Sequence, residues 1–290
     1  MMADMDAAVE FQDVSFFYPR RDIEVHDEVV RAIENPDEVT RVFSHVTADL
    51  PAGMMSVVGT NGIGKSTLLL LAGARLMPHE GRVTVLGQDT ASFAEAGNDP
   101  SLEENRNRLV SFVYQNMEFE SQAPVGELME IVYENGFHIE NNDQLLIDIR
   151  RALELDAFLT LKTQQLAKGQ LQRAIVAFSL LYGSRIIMMD EPVFALEEPQ
   201  KDRTFGFLVE FSREYSVPIY YSAHNLDLTE KYSEYMLLFS HDGSFKIGPT
   251  ETLFSRDLIE EAYQAPMDSL HKRDNLYREM LRNQAERNDG

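Results

Sequence analysis

Nine consecutive residues, Gly59-Thr60-Asn61-Gly62-Ile63-Gly64-Lys65-Ser66-Thr67, combine three glycines with an ammonium group and two adjacent hydroxyls. They follow a short apolar run, Met54-Met55-Ser56-Val57-Val58, and precede Leu68-Leu69-Leu70-Leu71-Ala72-Gly73. A glycine-rich turn between a strand and a helix aims backbone N–H groups and the helix N-terminus at one point. Missing Cβ atoms let that backbone approach its ligand closely. The chemistry this suits is the holding of polyphosphate: Lys65 would reach the β- and γ-phosphates, and the Ser66 hydroxyl would ligate Mg²⁺. Other reactive side chains stand where apolar runs end. Gln115 follows Leu109 to Tyr114, Asp190-Glu191 follows Ile186-Ile187-Met188-Met189, and His224 follows Val217 to Ala223. Tyr18 closes Val9 to Tyr18, where its ring could stack on a nucleotide base or pack on the core; the local sequence leaves both open.

The elements that must position these groups follow from periodicity. Strands are expected over Val9 to Tyr18, Arg41 to Leu50, Met54 to Val58 and Gly81 to Gly87. Further strands are expected over Leu109 to Gln115, Arg185 to Pro192 and Val217 to His224. Tyr235 to Ile247 reads as a hairpin turning at Asp242-Gly243. Helices are expected over Val125 to Asn135, Asn142 to Leu161, Gly169 to Leu181 (ended by Gly183 as a left-handed cap) and Phe205 to Tyr215. Ala91 to Asn107 is polar and reads as a loop, and the charge-rich stretch of about 20–41 as a surface insertion. From Leu253 the tail reads as helical, interrupted by Pro266. The order is that of an α/β core with a helical block, about residues 116–168, inserted into it. Adjacent strand residues face opposite sides, so Asp190 and Glu191 can share one site only where their strand is ending.

Composition narrows the partners. The chain has 290 residues, enough for one large domain or two small ones. A formal net charge of -22 argues against a nucleic acid held through its phosphates. Without cysteine there is no disulfide framework and no thiol chemistry. No apolar run approaches the ~20 residues that a membrane span needs. Met1 to Glu10 carries three acidic residues and no basic segment, so it does not read as a secretory signal. A soluble chain is expected, with any membrane role exerted through a partner.

Taken in order, these pieces resemble the ATPase subunit of ATP-binding cassette (ABC) systems over roughly residues 8–254. Gly59 to Thr67 matches the Walker A loop, Ile186 to Asp190 Walker B, Glu191 the catalytic glutamate and His224 the switch histidine. Tyr18 matches the aromatic that stacks on adenine, Gln115 the Q-loop glutamine, and Leu166-Ala167-Lys168-Gly169-Gln170 the signature loop. The resemblance implies a P-loop NTPase core with an N-terminal antiparallel β subdomain and an inserted α-helical subdomain, together spanning 1–254, and a C-terminal tail, 255–290. It implies ATP and Mg²⁺ as ligands. Tyr18, Gly59, Asn61, Gly62, Gly64, Lys65, Ser66 and Thr67 would hold the nucleotide. Ser66, Gln115 and Asp190 would hold the metal, while Glu191 polarises the attacking water. His224, Lys65 and Gln115 would attend the γ-phosphate.

The chain departs from the family where it would meet a partner. Its signature loop has Ala167 where the family usually has Ser and Lys168 where it usually has Gly; Glu197 stands where an Asp is usual. In the family, the loop containing Ala167, Lys168, Gly169 and Gln170 caps the ATP of a second ABC ATPase subunit. These changes leave two assemblies open: a homodimer that tolerates them, or a heterodimer whose other subunit supplies a full signature. The resemblance further implies a separate transmembrane permease docked on the helical block, and hence a place on the cytoplasmic face of the membrane. The alternatives are a soluble, non-transport ABC ATPase and a weakly hydrolysing nucleotide-gated clamp.

Overall fold

The computed structural model describes residues 7–19, 39–138 and 143–270. Strands β1 (Ala7–Pro19), β2 (Val39–Pro51), β4 (Glu80–Val85) and β5 (Gln88–Asp89) form an antiparallel sheet in the order β2-β1-β4-β5. The second sheet comprises β3 (Met54–Val58), β6 (Val110–Val113), β7 (Ile186–Met189), β8 (Ile219–Ser222), β9 (Tyr235–Phe239) and β10 (Phe245–Pro249). Its order is β10-β9-β3-β8-β7-β6, parallel except for the β9–β10 hairpin.

The near-continuous apolar strands are explained by burial on both faces of this sheet. Met54 and Val58, Ile187 and Met189, and Met236 and Leu238 enter one core. The alternate residues Met55, Val57, Ile186, Met188, Leu237 and Phe239 enter the other. Into this second core pack helix α1 (Lys65–Ala72), through Leu68, Leu69 and Leu71, and the antiparallel sheet, through Val9, Phe11 and Val83. The first core takes the helical block: α3 (Val125–Glu134), α4 (Asp143–Ala152) and α5 (Lys168–Leu181). Val125, Met129, Leu145 and Ile149 meet Ala174, Ala177 and Leu181 there.

Three expectations need correction. The stretch 91–107 is not a loop. A 3-10 turn covers Thr90–Phe93, and helix α2 covers Pro100–Leu109. Helix α2 buries only Leu109, so no apolar stripe announces it. Its start is fixed instead by the Asp99 carboxylate, which accepts from the Ser101 N–H at 2.9 Å, with Pro100 in the first turn. The helix expected over 142–161 ends at Ala152, because Glu154 takes a left-handed φ of 51°. Leu153, Leu155 and Phe158 stay buried on short turns beyond it. Helix α6 (Glu198–Tyr215) starts seven residues before Phe205, with the Gln200 side chain accepting from the Glu197 N–H at 3.3 Å. The insertion expected over 20–41 lies outside the described residues up to 38; residues 39–41 belong to β2. Helix α7 (Leu226–Tyr232) follows β8, and α8 (Thr250–Leu253) and α9 (Arg256–Tyr263) follow β10. Residues 271–290 of the tail, and 1–6, also lie outside the described residues.

Candidate active site

Strands β3, β8, β7 and β6 are parallel neighbours, so their C-terminal ends lie along one edge of the sheet. Ligands of open α/β sheets bind at that edge. It carries, in spatial order, the Gly59–Thr67 loop, His224, Asp190-Glu191 and Gln115. A cavity of about 910 Å³ opens there, and Tyr18, Lys65, Ser66, Gln115, Glu191 and His224 are among its walls. Phe205, Leu226 and, from the tail, Leu270 also line it.

The loop owes its path to glycine. Gly59 has φ 154°, and a Cβ there would stand 2.7 Å from Phe239 Cβ. Gly64 (φ 116°) is the N-cap of α1 and gives no side-chain cap, so the first-turn N–H groups keep their donors for a ligand. Asn61, Gly62 and Thr67 also line the cavity. Lys65 is 6% exposed. Its Nζ donates to the carbonyls of Gly59 (2.9 Å) and Thr60 (3.0 Å). Burial lowers its pKa, while Glu191 and Asp190 pull it back up. The site is thus a buried cation facing two carboxylates.

Strand β7 stops at Met189, and Glu191 takes φ 49°, a left-handed conformation that breaks strand alternation. For a non-glycine residue this costs about 1–3 kcal/mol, the kind of strain held at functional sites. His224 Nε2 stands 2.5 Å from Glu191 Oε1, so the ring N–H donates to the carboxylate. Behind them Ser222, which sequence reasoning did not single out, joins both carboxylate residues. Its Oγ donates to Asp190 Oδ1 at 2.5 Å and accepts from the Glu191 N–H at 3.0 Å. A serine two residues before the histidine, at the end of a buried strand, was the available signal. Ser222→Ala should lower stability by about 1–3 kcal/mol by leaving a buried carboxylate and an N–H without these partners. A urea unfolding midpoint that falls with an unchanged m-value would show it. Lys201 was also missed; it lines the cavity from α6 and pairs with Glu198 at 3.0 Å.

Tyr18 lines the cavity and is 39% exposed, with its hydroxyl 3.3 Å from Thr67 Oγ1. Ala167, Lys168, Gly169 and Gln170 do not line the cavity. Ala167 and Lys168 are exposed at the start of α5. Gly169 fits closely against the segment after Glu191, since a Cβ on it would lie 2.8 Å from the Ala195 carbonyl oxygen. Gln170 closes the helix start, its Oε1 accepting from the Ala167 N–H at 2.9 Å.

The model of the ABC transporter family matches residues 43–194. The chain is 30% identical over 206 residues to the lipoprotein-releasing system ATP-binding protein LolD of Anaeromyxobacter dehalogenans, covering 67% of this chain and 80% of that protein. It is 29% identical over 187 residues to the macrolide export ATP-binding/permease protein MacB of Vibrio parahaemolyticus, covering 63% of this chain but 28% of MacB. Among solved structures it is similar to the ATP-binding cassette MJ0796, a dimer in a post-hydrolysis state bound to ADP and Pi. The TM-score is 0.67 at 20% identity, over 83% of this chain and 98% of the other. That likeness shows the fold.

Proposed function

The chain belongs to the ABC transporter family, and from that membership we propose that it hydrolyses ATP as a nucleotide-binding subunit. Closure onto a second ABC ATPase subunit would energise a separate membrane permease. What carries this reading is the meeting in one cavity of the Gly59–Thr67 loop, Gln115, Glu191 and His224, with Asp190 joined to them through Ser222. The loop N–H groups and Lys65 hold the β- and γ-phosphates, and Tyr18 takes the base. The Ser66 hydroxyl, the Asp190 carboxylate and the Gln115 amide oxygen are hard oxygen donors that suit Mg²⁺. When bound, the ion neutralises charge on the phosphate oxygens. Glu191 accepts the hydrogen bond of the attacking water and polarises it, while His224 keeps the carboxylate aimed. The bound permease places the chain at the cytoplasmic face of the membrane, with no nucleic acid involved. Affinity-tagged full-length chain should bring down a multi-span membrane protein; a purely soluble set of partners would remove the transporter from this reading.

Ala167, Lys168, Gly169 and Gln170, which do not line the chain's own cavity, cap the nucleotide of the second subunit. A hydrogen bond to a charged group is worth about 1.5–3 kcal/mol. Ala167→Ser is therefore expected to raise homodimer turnover at low ATP by about tenfold or more. Serine also suits an N-cap and should stabilise α5 by about 0.5–2 kcal/mol. Stability that rises while turnover stays level would confine the residue to capping and sink the partner role.

A further inference from the structure

Glu154 stands in the left-handed region at φ 51°, where glycine or asparagine costs the backbone less. What a glutamate adds there is its carboxylate, and that carboxylate is divided between two cations. Its Oε2 accepts from Arg173 Nη1 at 3.2 Å, and its Oε1 pairs with Arg203 Nη1. Arg173 belongs to α5 and Arg203 to α6, so one side chain in the turn after α4 ties two separate helices together.

The start of α5 also touches the segment that leads into α6. Gly169, in the first turn of α5, leaves no room for a Cβ between itself and the Ala195 carbonyl oxygen. Ala195 lies on the stretch that runs from Glu191 to the first residue of α6, Glu198. Arg173 reaches back to this contact, its Nε donating to the Gly169 carbonyl at 3.4 Å. Its Nη1 donates to the Leu153 carbonyl at 3.0 Å, and its guanidinium lies 5.2 Å from the centroid of the buried Phe158 ring. The links close a circuit that runs from Glu154 through Arg173, Gly169 and Ala195, and along α6 to Arg203 and back.

Stability alone does not account for the glutamate. The pair with Arg203 is about half exposed, and an exposed ion pair contributes little. Burial pushes the pKa of Arg173 down, which a neighbouring carboxylate opposes. Yet the Leu153 and Glu154 carbonyls accept from that guanidinium whatever side chain stands at 154.

We propose that Glu154 is a positioning residue for hydrolysis: its carboxylate fixes the start of α5, where Ala167 and Lys168 are exposed, against the segment that leaves Glu191. The inference rests on the two-subunit reading. There the start of α5 faces the partner's nucleotide, and the segment follows the carboxylate that polarises water in the chain's own site. Glu154 does not line the nucleotide cavity, so loss of the bridge falls on turnover and spares ATP binding.

The test compares full-length Glu154→Asn and Glu154→Gln with the parent, each assayed well below its thermal midpoint. Asparagine suits the left-handed backbone, glutamine keeps the length of the side chain, and neither carries the charge. Both should lower kcat by about tenfold or more while the Kd for ATP stays within about twofold. Arg203→Gln should also lower kcat, and Glu154→Gln combined with Arg203→Gln should lose no more than Glu154→Gln alone. Arg150→Gln, which removes the exposed pair with Asp156, should leave kcat within about twofold. Hydrogen exchange supplies a readout that needs no turnover. In Glu154→Asn the amides of 167–170 and 193–197 should exchange faster, and those of Gly59–Thr67 should not. An unchanged kcat, a Kd that worsens in step with kcat, additive losses at Glu154 and Arg203, or unchanged exchange would overturn the proposal. The two-subunit reading fails separately, if turnover per chain of the parent does not rise with protein concentration.

Discussion

Replacing Glu191 with Gln is expected to lower steady-state Mg-ATP turnover by about 10²–10⁴-fold while leaving ATP binding intact. The change keeps the shape of the side chain and the left-handed backbone at φ 49°. What it removes is the charge and the capacity to polarise water. The Gln oxygen can still accept from His224, which now donates to Glu191 Oε1 across 2.5 Å, so a loss of rate would not come from a collapsed site. Titration calorimetry of the variant with ATP should give an affinity within a few-fold of the parent. If instead turnover falls less than about tenfold, Glu191 is not the group that polarises the water, and the assignment fails. If binding is lost together with rate, the carboxylate was holding the loop rather than the water.

Much of this arrangement was legible because it obeys a local rule. An apolar run buried on both faces has nowhere to put a carboxylate, an amide or an imidazole except at its end. Gln115, Asp190 and His224 could thus be placed at strand ends, and the parallel pairing of those strands sets the three along one edge. The phosphate-binding loop was legible for the same reason, since glycines sit where the backbone takes positive φ. What escaped was fixed by contacts across the chain or by caps without an apolar stripe. Helix α2 was signalled only by Asp99-Pro100, while its mostly polar surface resembled a loop. The stop after Ala152 depends on Arg173 of α5, which donates to the Leu153 carbonyl at 3.0 Å and to the Glu154 carboxylate at 3.2 Å. The Glu154 carboxylate also meets Arg203 of α6. No window of sequence around 142–161 contains those partners. Ser222 was missed because a serine in a buried strand has no periodicity of its own; its role emerges only when β7 and β8 are paired.

Lys65→Met is expected to weaken ATP binding by about a hundredfold or more, the second large effect in this site. The ammonium is nearly buried and held by two loop carbonyls at 2.9 and 3.0 Å, so it already stands where the loop converges. Its three protons can exchange those carbonyls for phosphate oxygens, and hydrogen bonds to charged groups are worth about 1.5–3 kcal/mol each. Burial alone would favour losing the proton, but the carboxylates of Glu191 and Asp190 oppose that shift. Methionine keeps much of the apolar stem and removes the charge. Two effects on the free protein then oppose one another: a buried ammonium no longer needs desolvating, and two carboxylates lose the cation they faced. The thermal midpoint without nucleotide should therefore stay close to the parent's. The midpoint with nucleotide is the discriminating quantity. ATP at about a hundred times its Kd should stabilise the parent by about 2.7 kcal/mol, and at the same concentration the variant should gain less than about 0.5 kcal/mol. An undiminished ATP-induced rise in Lys65→Met would mean that the loop N–H groups hold the phosphates by themselves and that the lysine serves only to fold the loop.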